Sequence, residues 1–152
     1  MKILEDKGKL KGIVTQNIDG LHEKAGNKCI YNLHGSIYKN YCSKCGNEYS
    51  YDFVFDSKDI PKCDCGGIIK PGVVLYEEPL DEDVMYGAIN AISACDLLIV
   101  AGSSLTVYPA SGFIRYFNGN HLVIINNDDT NYDNIADLVI HDKIGNVFSK
   151  LK

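Results

Sequence analysis

What the chain lacks narrows its function first. None of its apolar runs approaches the roughly 20 residues that a helix needs to cross a bilayer. The opening Met1-Lys2-Ile3-Leu4-Glu5-Asp6 has no apolar stretch of the kind that directs export. The sequence therefore reads as cytoplasmic, with no membrane partner expected. Positive charge is also scarce: 15 Lys and Arg stand against 20 Asp and Glu, a formal net charge of -5. A surface of that sign attracts no phosphate backbone, which argues against nucleic acid as a main partner. No internal repeat or low-complexity tract breaks up the 152 residues. With 45% hydrophobic and 23% charged residues, the chain is long enough to bury a core without disulfides. One domain of ordinary size with a small embedded module is expected.

Several apolar runs organise that domain. Leu10-Lys11-Gly12-Ile13-Val14-Thr15 follows a Lys/Glu-rich segment ending in Gly8, which suggests a helix tail turning into a strand. The loop Gln16-Asn17-Ile18-Asp19-Gly20 comes next. A second run, 95–101, ends in Gly102-Ser103-Ser104, and a third, 121–125, ends in Asn126-Asn127-Asp128. Leu138-Val139-Ile140 is a weaker fourth. Near-continuous apolar runs suit strands covered on both faces, and the spacers 81–93 and 109–117 can hold helices, so the pattern is that of a parallel α/β sheet. Ligands of such sheets bind beyond the carboxyl ends of the strands. The small and amide residues at those ends fit a nucleotide or dinucleotide site, and they fit ordinary turns equally well.

Between Tyr41 and Ile69 the period vanishes and Cys, Gly, Tyr, Lys and Asp dominate. Four of the six cysteines lie here, as Cys42-Ser43-Lys44-Cys45-Gly46 and Cys63-Asp64-Cys65-Gly66-Gly67. Without an export signal, such clustering favours metal over disulfides. Four thiolates suit tetrahedral Zn²⁺ and leave no open position for water, so the metal is expected to be structural. The second pair is one residue short of the usual knuckle, and its local geometry must differ. Cys29 and Cys95 stand alone and are expected to be inert packed residues. The resulting division is a Rossmann-like domain at 1–40 and 68–152 with a zinc-ribbon module at 41–67.

The motifs become specific when taken together. Thr15-Gln16-Asn17-Ile18-Asp19-Gly20-Leu21-His22, Leu33-His34-Gly35-Ser36, the two cysteine pairs and Lys70-Pro71-Gly72-Val73-Val74-Leu75-Tyr76-Glu77-Glu78 follow one another in the order seen in sirtuins. Gly102-Ser103-Ser104-Leu105, Val107-Tyr108-Pro109-Ala110 and Asn126 continue it. On these residues the sequence resembles the sirtuin family over nearly its whole length. The resemblance implies a Rossmann-type domain and a small zinc module with NAD between them. It also implies acyl-lysine peptides or proteins as partners, and nicotinamide, free lysine and O-acyl-ADP-ribose as products.

Residue by residue, His34 matches the family's base, and an imidazole with an unperturbed pKa of about 6.5 can take a proton at neutral pH. Asn17 counts with it among the catalytic residues. Gln16, Asn17, Ile18 and Asp19 match the loop that holds the nicotinamide ribose and carboxamide. Gly102, Ser103 and Ser104 match the phosphate and ribose cradle, while Asn126, Asn127 and Asp128 face the adenosine ribose and Lys143 the adenine region. Val73, Val74 and Tyr76 match the segment that pairs with substrate peptide, with Tyr76 on the acyl-lysine tunnel. Cys42, Cys45, Cys63 and Cys65 match the zinc ligands.

Two departures follow from the same comparison. Tyr76-Glu77-Glu78 stands where many relatives have Phe-Gly-Glu, which implies altered peptide or acyl preference. The family's first strand, its Gly-Ala-Gly loop and its Pro-Asp-Phe-Arg segment have no counterpart before Leu10. The parallel sheet is thus expected to be incomplete at its N-terminus and NAD binding to be impaired. A non-catalytic, zinc-containing fragment that binds acyl-peptide or another protein is the alternative reading, and a zinc-ribbon adaptor on a Rossmann scaffold is a third.

Overall fold

Ile13, Val14 and Thr15 are β-branched and therefore stiff at χ1, which favours extended backbone. In the computed structural model, which describes residues 1–151, they form a short strand. The chain separates into two compact units, Met1–Met85 and Tyr86–Lys152.

The first unit begins with α1 (Lys2–Asp6), β1 (Ile13–Thr15), α2 (Leu21–Lys24) and β2 (Ile30–Asn32). β1 and β2 pair in parallel, with Ile13 opposite Ile30 and Thr15 opposite Asn32. Next come β3 (Gly35–Cys42), β4 (Glu48–Tyr49), α3 (Tyr51–Phe55) and β5 (Ile69–Val73). These three strands make a separate antiparallel sheet in the order β4-β3-β5. Ser50 caps α3 by accepting a hydrogen bond from the Phe53 N–H at 3.2 Å. Helices of four and five residues are too short to hold themselves together in water, so pairing and capping must fix them.

The second unit contains β6 (Leu97–Ala101), β7 (His121–Ile125), β8 (Leu138–Ile140) and α5 (Ile144–Ser149), while α4 (Glu82–Ser93) includes the division between units. β6, β7 and β8 form a parallel sheet with β7 in the middle. Leu122, Ile124 and Ile125 of β7 are buried. The fold is thus mixed α/β, with parallel strands in both units and an antiparallel sheet in the first.

Three details differ from the reading of the sequence. Of the strands expected to be covered on both faces, β1 and β7 are mostly buried, whereas β6 and β8, the edge strands of their sheet, begin with the exposed Leu97 and Leu138. β6 begins at Leu97 rather than Cys95, since the Asp96 carbonyl turns aside to accept the Asn120 and His121 N–H groups at 2.9 and 3.1 Å. The spacer 109–117 forms a 3₁₀ helix at Ala110–Tyr116, where Ser111 and Gly112 are weak α-formers. Among the described residues no helix is long and apolar enough to cross a membrane.

One carboxylate ties α1 to the entry of β2. Glu5 accepts hydrogen bonds from the Lys28 and Cys29 N–H groups at 2.9 and 3.1 Å, and from Asn27 Nδ2 at 3.2 Å. The Lys28 and Cys29 amides draw its pKa down from 4.5 to about 2. A depressed carboxylate contributes stability above its unfolded-state pKa and loses it as pH falls toward the folded value. Glu5→Gln is therefore expected to lower Tm by several degrees near pH 7. In thermal melts across pH, the gap between the two proteins should close below the 4.5 of an ordinary glutamate and be nearly gone close to pH 2.

Candidate functional site

Two chemically distinct centres occupy the first unit. The cysteine centre forms where β3 ends and the segment before β5 folds back beside it. Cys42 closes β3 opposite Ile69 of β5, and Cys63 N donates to the Gly67 carbonyl at 2.8 Å. The four Sγ atoms lie within 4.8 Å of one another. Cys42 and Cys65 are 3.5 Å apart and Cys45 and Cys63 3.6 Å, far too long for disulfides, and all are free thiols. A tetrahedral Zn²⁺ with Zn–S bonds near 2.3 Å sets its sulfurs about 3.8 Å apart, so this cluster fits that ion with little movement.

The charges point the same way. The Cys45 N–H leads in drawing the Cys42 thiol down to about 6. At Cys65 the pull of the Gly67 N–H is outweighed by the Cys63, Cys45 and Cys42 sulfurs, which push it up to about 12. Four thiolates at this spacing need a cation among them. Gly67 leaves the room: a Cβ there would lie 2.5 Å from Cys42 Sγ and 3.4 Å from Cys65 Sγ.

The second centre is built around His34, between β2 and β3. Its Nδ1 lies 3.0 Å from the Gln16 carbonyl. A carbonyl can only accept, so Nδ1 carries the proton, and in the neutral ring Nε2 keeps its lone pair. Backbone bonds hold both partners. Leu33 N donates to the Thr15 carbonyl at 2.9 Å, Val74 N to the His34 carbonyl at 3.0 Å, and Ile37 N to the Ile18 carbonyl at 3.2 Å. The last is possible because β3 loses register with β5 between Ser36 and Asn40. Gly35 has φ +74, and a Cβ on it would meet the Gly72 carbonyl oxygen at 2.0 Å, so only glycine lets β3 leave the histidine here.

Within the loop after β1, Asn17 N donates to Thr15 Oγ1 at 3.1 Å and Leu21 N to Asp19 Oδ1 at 3.0 Å. Asn17 is exposed, while Gln16, Ile18 and Asp19 are half-buried. Hydrogen bonds thus bring Gln16 to His34, and pairing at Gly35 and His34 brings Val73 and Val74 beside them, while Asn17 and Asp19 bond only within their own loop. Tyr76 is fully exposed, at 102%, so it is not a core aromatic. Its neighbour Glu77 has φ +68, the left-handed value that a glycine adopts freely.

The second unit gathers the remaining candidates at the carboxyl end of its sheet. Gly102 N donates to the Ile125 carbonyl at 2.9 Å and Asn126 N to the Ile140 carbonyl at 3.1 Å. Ser103 Oγ accepts from Leu105 N at 3.2 Å, and Ser104 shares a hydrogen bond with Thr106. Asn126 Nδ2 donates to the Asp128 carbonyl at 3.0 Å, and Lys143 precedes α5 as its N-cap. Asn127, Asp128 and Lys143 are exposed. A polar depression of about 550 Å³ in the same unit is lined by Leu105, Thr106, Ser111, Arg115, Asn131 and Tyr132. His141 Nδ1 lies 3.3 Å from the Asn126 carbonyl, a contact that no local motif signals.

Comparison with known proteins adds four observations. Residues 1–109 match the model of the Sir2 family. The chain is 60% identical over 146 residues to an NAD-dependent protein deacetylase of Clostridium acetobutylicum, covering 95% of this chain and 60% of that protein. It is 58% identical over 150 residues to the protein of the same description in Clostridium perfringens, covering 97% of this chain and 62% of that one. A solved Sir2 structure with a p53 peptide and NAD⁺ superimposes with a TM-score of 0.88 at 38% identity, over 95% of this chain and 63% of the other. The chain thus spans about three-fifths of the length of the curated relatives it matches.

The space at Gly67 provides a direct check on the cysteine centre. Gly67→Ala is expected to weaken zinc binding on the order of tenfold or more, measured by competition with a chromophoric chelator under reducing conditions. Unchanged affinity would show that the sulfurs close around a metal in some other arrangement.

Proposed function

The chain belongs to the Sir2 family, and from that premise we propose that it carries out NAD-dependent deacylation of protein lysine side chains, releasing nicotinamide and O-acyl-ADP-ribose. The observation that carries this reading is the orientation of His34. With Nδ1–H held by the Gln16 carbonyl at 3.0 Å, Nε2 is the nitrogen free to accept a proton from a substrate hydroxyl. The relatives named above are NAD-dependent protein deacetylases, and a similar solved structure holds NAD⁺ and a peptide.

NAD, when bound, supplies the ribosyl group that receives the acyl. On this reading Gln16, Asn17, Ile18 and Asp19 hold the nicotinamide side of NAD, with Asn17 acting beside His34. Gly102, Ser103 and Ser104 bind phosphate and ribose through small side chains and amides. Asn126, Asn127, Asp128 and Lys143 serve the adenosine end. β5 is an edge strand, paired only with β3 among the described strands. An acyl-lysine peptide can add to that edge along Val73 and Val74, giving affinity through backbone with little sequence selectivity. Tyr76, exposed beside it, meets the acyl-lysine.

Cys42, Cys45, Cys63 and Cys65 hold a structural zinc in a module at 41–67, set into a Rossmann-like domain formed by 1–40 and 68–152. The reading places the protein in the cytoplasm, acting on acylated proteins.

Incubation with NAD and an acetyl-lysine peptide is expected to yield nicotinamide and O-acetyl-ADP-ribose in equal amounts. His34→Ala should reduce both roughly 10²- to 10⁴-fold, the usual contribution of a general base. Peptide binding without either product would instead support the non-catalytic acyl-peptide-binding reading.

A further inference from the structure

Backbone pairing along β5 gives a bound peptide little sequence selectivity, and acylation removes the charge of the lysine itself. Charge recognition then falls to the residues that flank the acyl-lysine and to whatever meets them past the end of the strand. The chain leaves β5 through Val74, Leu75 and Tyr76 to Glu77, which lies at most about 11 Å beyond Val74. From residue 71 to residue 114 the sequence contains no Lys, Arg or His. The only cation close before this stretch is Lys70, and it is already engaged by Glu78.

Five carboxylates stand at 77–83, and four of them have a task within the protein. Glu78 pairs with Lys70 and accepts from the Leu75 N–H at 2.9 Å. Asp81 accepts from the Val84 N–H at 2.9 Å, and Glu82 and Asp83 open α4, whose first amides favour negative charge. Glu77 has no such task. It is exposed, and among the described residues no ion pair or hydrogen bond involves its carboxylate. It also holds φ +68, where a Cβ is a cost and glycine fits without one. Nothing inside the protein compensates that cost, and the side chain stands beside the strand edge read as the peptide site. We infer that Glu77 sets a charge preference there, its carboxylate pairing with a Lys or Arg that flanks the acyl-lysine, so that the preferred substrates are acyl-lysines in basic segments. The inference rests on the reading of β5 as the peptide-binding edge and names the class of peptide that edge takes.

The test uses the whole chain and three unlabelled acetyl-lysine peptides, carrying arginine, alanine or glutamate on both sides of the acetyl-lysine, with binding measured by titration calorimetry. Exposed charge pairs are weak singly, so attraction and repulsion together are expected to make the arginine peptide bind roughly tenfold more tightly than the glutamate peptide at low salt, with alanine between. The spread should fade near 1 M salt, where the screening length is about 3 Å. Glu77→Gln should shrink it to about threefold or less, and Glu77→Lys should invert the order. If the arginine and glutamate peptides bind the unaltered protein alike, or Glu77→Gln keeps the full spread, Glu77 sets no preference and the inference is overturned while the peptide site stands. If none of the three peptides binds, the reading of β5 as the peptide edge fails and the inference falls with it.

Discussion

The hydrogen bond between the His34 ring and the Gln16 carbonyl is the contact on which the candidate site depends. It joins two loops that are distant in sequence, the one leaving β1 and the one entering β3. It also fixes which ring nitrogen is bare. A histidine in an unconstrained loop would rotate and present either nitrogen. Here the parallel pairing of β1 with β2 brings Thr15 and Leu33 together, and the Val74 N–H holds the His34 carbonyl from the other side. The side chain is thus set by backbone on three segments, and each of those depends on a local feature: β-branched residues in β1, a missing Cβ at Gly35, and a break in register after Ser36.

β3 connects this histidine to the cysteine centre. The strand starts at Gly35, directly after His34, and ends at Cys42, one of the four thiols. β5 pairs with it at both ends, Gly35 with Val73 and Cys42 with Ile69. A metal at the cysteines therefore does more than close a loop: it anchors the far end of the strand that carries the histidine. Glu5 performs a similar service without metal, gathering the amides just before β2. Such short elements bury little on their own, so point anchors of this kind decide whether the unit holds its shape.

Much of this was legible in the sequence. The apolar runs at 121–125 and 138–140 coincide with β7 and β8, and the spacer 81–93 holds α4, because continuous apolar runs and amphipathic helices mark themselves locally. The paired cysteines stood out by spacing, and the motif around His34 by its neighbours. The strands at 30–32, 35–42 and 69–73 did not stand out. The first is only three residues long, the other two are half-polar and carry Gly or Pro, and all owe their pairing to partners along the chain, so no local period announces them.

The most direct test is ¹⁵N NMR of the His34 ring in the protein at a pH where the imidazole is neutral. The account predicts a proton on Nδ1, which donates to the Gln16 carbonyl, and none on Nε2. A ring found with the proton on Nε2 would contradict it, because Nδ1 would then face a carbonyl without a hydrogen to share and the nitrogen assigned as the base could not accept one.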